Sequence, residues 1–360
     1  MGVLTVVGIG LTVTGLSRVR SSTVGRYAEV VGADEPGHQA YVVPTPTMGV
    51  LHRGADGDLA GAYVLALEPA DDGGTVLAVP PSTVAPGAEG TLADVYAAGG
   101  AEAAARSLGL VLNAAITEHV EVDHEVWAQL VEPVAPIDLT VDRPVGRWEP
   151  GEVALEPGDV GPFLSALGDG ETDLARLERQ QAFWSAWLPL VAGGGEDAVP
   201  GEASSGIGRF VRGVAQGEAV LGLPVGRDGD AGDRLVPDAA LLGDLVARAV
   251  PYPRSPEPGA RVRVRLLSGT GDPDQAAAAA RALVAGGAEI VIVGNASSFD
   301  VTETTLVPGP GGREKAMWLA VTALDAPVEE AAGAPEGAVP GEEIDVTVIL
   351  GQDAGDVMRR

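Results

Sequence analysis

Cysteine is absent from all 360 residues. The chain therefore has no disulfide, no thiolate nucleophile and no cysteine-ligated metal. Histidine is scarce, at four residues, so His-rich metal sites and most catalytic triads are poorly supplied. Lysine occurs once, as Lys315. Aromatic residues make up 4%, so the cores must be built mainly from Val, Leu, Ala and Ile. Positive charge is short overall: 23 Lys+Arg stand against 51 Asp+Glu, a formal net charge of −28. An acid surplus on that scale repels nucleic acid. It also disfavours anionic lipid headgroups unless an apolar segment does the anchoring.

What is present points first to the N-terminus. Met1 to Leu16 carries no charge. As a helix it would span ~24 Å at ~1.5 Å per residue, a little short of the ~30 Å hydrocarbon core. It is closed by Arg18 and Arg20, and no Ala-x-Ala cleavage site follows. It reads as a single membrane anchor over residues 1–20, with a buried strand or helix as the alternative.

The remainder is long enough for about two domains. From about residue 25 to 250, strand-like and helical stretches alternate. Gly61 to Leu67 and Gly74 to Val79 are short apolar runs bounded by Gly, Asp and Pro, which predicts a hairpin across an acidic turn. Gly100 to Leu108 is Ala-rich and helix-prone. Ile116 to Val122 alternates as a strand does, and His124 to Val131 predicts a helix with Trp127, Leu130 and Val131 on one face. Thr172 to Leu188 predicts a long amphipathic helix. Residues 251–260 form a stiff linker, with four prolines between Pro251 and Pro258. Beyond it, strand Val262 to Ser268, a glycine turn, helix Gln275 to Val284 and strand Ala288 to Val293 make a compact β-α-β unit. A further helix and the strand Ile344 to Leu350 complete it.

Several constellations invite chemistry. Gly269-x-Gly271 sits where a dinucleotide turn would, but Asp274 occupies the third glycine position, and Asp272 and Asp274 put negative charge where a phosphate should dock. A tight β-α turn is the better reading. Asp228, Asp230 and Asp233 lack calcium-loop spacing and read as an acidic surface loop. His119 and His124 point to opposite faces if the strand persists, which argues against a shared metal. Arg176 and Arg179, with Gln180 beside them, are neighbours on a helix face. Two guanidiniums there suit a diphosphate with bidentate geometry. The plainer alternative is a solvated face pairing with Asp173 and Glu178.

Two stretches resemble known families. Arg261 to Gln352 is similar to the LytR C-terminal domain, through RVRVRLLSGTG, the Ala-rich helix, EIVIVGNA and DVTVILGQD. Tyr41 to Tyr252 resembles the LytR-CpsA-Psr (LCP) catalytic domain, through LAVPPST (77–83), TLADVYAAGG (91–100), EHVEVDHEVW (118–127) and DLARLERQQ (173–181). That resemblance implies an outward-facing, membrane-anchored protein that handles polyprenyl-diphosphate-linked polymers with Mg²⁺ and an arginine-rich pocket. Taken one at a time, the family's early Asp falls on Pro46 and its Pro-Arg-Asp on Pro80, Pro81 and Ser82. Its Lys and Asn fall on Thr91 and Ala93, and its paired arginines fall near Ser165 and Leu167. Arg176, Arg179 and Gln180 remain.

The expected fold is a mixed-sheet α/β LCP-like domain over 25–250, followed by a small α/β domain over 261–352. The expected protein is single-pass at the cell membrane with its soluble part outside. It is expected to bind or scaffold in cell-wall assembly as a pseudoenzyme, with no catalytic residue, metal or cofactor. Its expected partners are the membrane and a polyprenyl-diphosphate-linked or anionic wall polymer, not nucleic acid. The alternative is an active LCP phosphotransferase using Mg²⁺, with replacement cations such as Arg53 or Arg106.

Overall fold

The computed structural model describes residues 32–68, 73–168, 170–217, 219–227, 234–252, 255–257, 259–329 and 344–358. The proposed anchor over residues 1–20 and the acidic run 228–233 lie outside them. Among the described residues no helix is long and apolar enough to cross a membrane.

The chain begins with β1 (Gln39–Tyr41), β2 (Thr47–Arg53), β3 (Leu59–Leu67), β4 (Gly74–Val79), α1 (Leu92–Leu112), β5 (Glu118–Val122) and α2 (His124–Val131). Next come β6 (Ile137–Val141), β7 (Gly151–Leu155), α3 (Pro157–Ser165), α4 (Asp173–Gly194), α5 (Gly206–Ala215), β8 (Ala219–Gly222), β9 (Val225–Arg227), β10 (Leu235–Pro237) and α6 (Ala239–Ala249). The last stretch holds β11 (Val262–Ser268), α7 (Pro273–Ala285), β12 (Ala288–Asn295), β13 (Thr305–Pro308), α8 (Arg313–Thr322), β14 (Val346–Leu350) and α9 (Ala354–Val357).

The first sheet runs β5-β2-β3-β4-β8. β2, β3 and β4 pair antiparallel, while β5 and β8 add in parallel at the edges, so the sheet is mixed, as expected. β3 is buried along its whole length because both faces of the sheet are covered, which explains its unbroken apolar run. On one face Tyr63, Leu65 and Val76 pack with Trp127, Phe163, Trp184 and Phe210 from α2 to α5. On the other, Val64, Leu77 and Val79 pack with Leu108 and Leu112 of α1 and Leu245 and Val246 of α6.

α1 starts earlier than its Ala-rich stretch predicts. Thr91 and Asp94 form a reciprocal cap, each side chain taking the other's backbone N–H. The helix then kinks at Gly100, whose φ of 69° suits glycine.

The second sheet runs β1-β12-β11-β14-β13, with β11, β12 and β14 parallel. Its core is Val264, Leu266, Leu283, Leu306, Leu319 and Val348. The two edge strands are antiparallel to their neighbours. β1 is the surprise: residues inside the expected first domain, 25–250, complete the sheet of the second. Three residues carry no periodic signal, so this pairing was not readable locally. The proline-rich segment also rests on the first domain, with Ser255 buried and Pro256 against Gly109 of α1.

Candidate functional site

The strongest candidate residues lie on α4. Its N-cap is Thr172, whose hydroxyl accepts from Ala175 N–H. The helix buries Arg176, Gln180, Phe183, Trp184, Trp187 and Val191, a stripe of three- and four-residue steps. Arg176 and Gln180 therefore continue an apolar face, and the solvated-face alternative for them is corrected: Arg176 is 5% exposed and Gln180 1%.

Arg176, Arg179 and Gln180 are each held by hydrogen bonds, while the Nε of both arginines and the indole N–H of Trp184 and Trp187 have no partner among the described residues. Arg176 Nη2 donates to Asp173 Oδ1 at 2.6 Å, and Nη1 donates to the Ser165 carbonyl at 3.2 Å. Asp173 also accepts from Ser82 N–H at 3.0 Å, tying the helix start to the end of β4. Arg179 Nη1 pairs with Glu171, its Nη2 donates to the Ala166 carbonyl, and its guanidinium lies 5.5 Å over the Phe163 ring. Burial lowers the pKa of Arg179, and the Glu171 carboxylate opposes that shift. Gln180 Nε2 donates to the Ala60 and Leu164 carbonyls at 3.1 and 3.0 Å.

The two carboxylates that pair with these guanidiniums, Glu171 and Asp173, line a cavity of about 240 Å³ together with Ser82, Leu167, Thr172, Leu174 and Leu235. Phe163 and Trp184 beside it are fully buried. Tyr63, also fully buried, has no hydrogen-bond partner for its hydroxyl among the described residues, and burial raises its pKa against the pull of Arg176 and Arg179.

The structure brings together several positions that the family comparison singled out. Ser82, Ser165, Leu167, Arg176 and Arg179 meet in this one neighbourhood. Thr91 does not: it belongs to a separate open cavity of about 580 Å³ with Glu89, Gly90, Asp94 and Arg234. Arg53 is held by Glu121 and Asp123 at 3.1 and 3.0 Å, and Arg106 by Glu102 at 3.5 Å, so neither joins Arg176. His124 Nε2 lies 3.1 Å from Ser165 Oγ, whereas His119 lines a different cavity beside Arg106.

Glu171 and Asp173 were missed as site residues. Asp173 sits three residues before Arg176 and was weighed only as a partner on the helix surface. Glu171 precedes the helix, and no periodicity links it to Arg179.

Among the described residues no three acidic or histidine side chains gather to hold a metal. The nearest carboxylates, Asp173 and Glu171, are each given to a guanidinium. These residues do not fit a Mg²⁺ site.

Residues 261–353 match the family model described as LytR cell envelope-related transcriptional attenuator. No curated protein sequence matches the chain. Among solved structures, the chain is similar to TagV of B. subtilis at 16% identity and a TM-score of 0.45, covering 58% of this chain and 99% of that one. It is similar to B. subtilis TagT at 13% identity and a TM-score of 0.46, covering 62% and 98%. It is also similar to a LytR-Csp2A-Psr enzyme from Actinomyces oris at 16% identity and a TM-score of 0.41, covering 60% and 94%.

These findings correct the expectation that the chain is not an enzyme. One structure it is similar to is described as a LytR-Csp2A-Psr enzyme. The physical reason is that residues missing at matched positions count lost contacts, not lost turnover. Residues 261–353 thus match the LytR C-terminal family model, and the mixed α/β domain before them is similar in fold to TagV, TagT and the LytR-Csp2A-Psr enzyme.

Proposed function

We propose that this chain works at the cell envelope, held to the membrane by residues 1–20. In this reading, its first domain takes the diphosphate of a polyprenyl-linked wall polymer on Arg176 and Arg179. The observation that carries the reading is the arrangement of those two side chains. They are neighbouring guanidiniums, Arg176 buried and Arg179 partly so, each paired with a carboxylate that lines the same cavity. A cation taken out of water must be paired, and here the pairing groups line the cavity an anionic ligand would enter. A diphosphate replaces Glu171 and Asp173 with charge of the same sign and adds bidentate geometry. The match of residues 261–353 to a cell-envelope family supports the location. The surplus of acid elsewhere keeps anion binding local and opposes a DNA-binding role. The ligand class is that of one TagT structure, which is described with bound octaprenyl pyrophosphate lipid.

The test is a titration of geranylgeranyl diphosphate into the full chain, followed by tryptophan fluorescence. Trp184 and Trp187 on α4 are two of the five tryptophans that report. Saturable binding is expected, weakened about tenfold or more in Arg179→Ala and tightened in Glu171→Gln. Release of polyprenyl phosphate in the same samples would extend the reading to group transfer. No binding, or equal binding by all three proteins, would overturn it.

A further inference from the structure

A further cavity lies in the other half of the molecule and does not depend on the diphosphate reading. Its volume is about 500 Å³, inside the range of small-ligand pockets. Ser268 and Asn295, the last residues of β11 and β12, sit on its wall together with the first turns of α7. The carboxyl ends of neighbouring parallel strands are where open α/β sheets take ligands.

The lining specifies a chemistry. Ala276, Ala277 and Ala280 of α7, with Leu266 and Val293 of the sheet, make a smooth apolar floor. Tyr252 and Phe299 supply two aromatic rings. Gly271, at φ +74°, lets the chain turn there, and a Cβ on it would stand 3.4 Å from the Phe299 ring. The N-terminal segment completes the wall with Asp34, His38 and Ala40, which β1 brings across by pairing with β12.

The polar groups are biased toward accepting. Asp272 uses Oδ1 to cap α7, taking Asp274 and Gln275 N–H, which leaves Oδ2 as a further acceptor. Asn295 gives its amide hydrogens to the Ala33 and Glu35 carbonyls, so its remaining contribution is a carbonyl oxygen. No lysine or arginine lines the cavity, and Asp34 and Asp272 do. An anionic ligand is disfavoured by that charge. The complement is an uncharged molecule with many hydroxyl donors and flat apolar C–H faces.

From this we infer that the cavity between α7, β1 and Tyr252 binds a neutral pyranose sugar. One ring face lies against Tyr252 or Phe299, and its hydroxyls donate to Asp272 and Asn295.

The test is isothermal titration of the full chain with four probes at millimolar concentration: chitotriose, maltotriose, trigalacturonate and putrescine. At least one neutral trisaccharide is expected to bind, and neither trigalacturonate nor putrescine is. Tyr252→Ala should weaken binding about tenfold. Ala277→Leu, a helix-compatible change that fills the floor, should weaken it as much without altering the far-UV circular dichroism. Absence of binding by both neutral sugars overturns the inference. So does preferential binding of putrescine or trigalacturonate, or sugar binding that neither variant changes.

Discussion

The imidazole of His52 lies 5.7 Å from that of His124 between ring centres, and neither nitrogen of His52 has a hydrogen-bond partner among the described residues. Burial, then the nearby charges of His124 and Arg176, lower the His52 pKa from 6.5 to about 3, opposed by Asp123. The folded protein therefore keeps this ring neutral while the unfolded chain protonates it below pH 6.5. Its contribution to stability is complete above pH 6.5 and declines as pH falls toward 3. The loss reaches about 3 kcal/mol by pH 4, at ~1.4 kcal/mol per pH unit. Thermal melts of His52→Leu should show a shallower acid slope than wild type between pH 6.5 and 4. Parallel slopes would refute the assignment.

Trp127 is the hub of the aromatic interior. Its ring centre lies 5.8 Å from His52, 6.2 Å from Tyr63, 5.7 Å from Phe183, 5.8 Å from Trp184 and 6.0 Å from Trp187, with steep, edge-on angles throughout. Such contacts add to simple area burial. Trp127→Ala should lower stability by about 3–5 kcal/mol in urea denaturation. The near-ultraviolet circular dichroism of the other rings should weaken with it. A loss confined to one tryptophan's share of that signal would show that the cluster does not depend on Trp127.

How much of this was legible depends on whether the signal was local. The runs that became β3 and β4 stood out as short apolar stretches between turn residues, and α2, α4, β11 and β12 by alternation or helical spacing. The neighbouring placement of Arg176 and Arg179 followed from their three-residue separation. Their burial was readable in retrospect, since Arg176 and Gln180 lie in step with Phe183, Trp184 and Trp187. What could not be read were relationships between distant segments. Glu171 on Arg179, Ser82 on Asp173 and Gln39–Tyr41 on β12 are set by the assembled fold. No residue near any of them encodes the partner.

Gly61 and Gln180 form one such distant relationship. A Cβ at Gly61 would lie 2.7 Å from Gln180 Nε2 and 3.0 Å from the Tyr63 hydroxyl. Gly61→Ala should therefore push the Gln180 amide off the Ala60 and Leu164 carbonyls. Stranding buried acceptors costs about 1–3 kcal/mol, and Gln180→Ala should cost a similar amount. Because both changes break the same contacts, the double variant should lose less than the sum of the two. Additive losses in urea denaturation would separate the two residues.

Asn295 fastens the N-terminal segment to the second sheet. Its side-chain amide donates to the Ala33 and Glu35 carbonyls at 2.9 and 2.8 Å, and its backbone N–H donates to the His38 carbonyl at 2.7 Å. β1 follows immediately, paired Gln39 to Gly294, and all three of its residues are exposed. So short an edge strand has little apolar burial to hold it, which leaves hydrogen bonds as its main restraint. Asn295→Ala removes the two side-chain bonds and keeps the backbone one. Each is worth about 1 kcal/mol, so hydrogen exchange across residues 37–41 should quicken by roughly tenfold or more. Exchange in β3, far from this edge and buried throughout, should stay as in wild type. If residues 37–41 exchange at the same rate in both proteins, the segment is held by something other than Asn295. If β3 quickens equally, the two sheets open together and the edge strand is no separate unit.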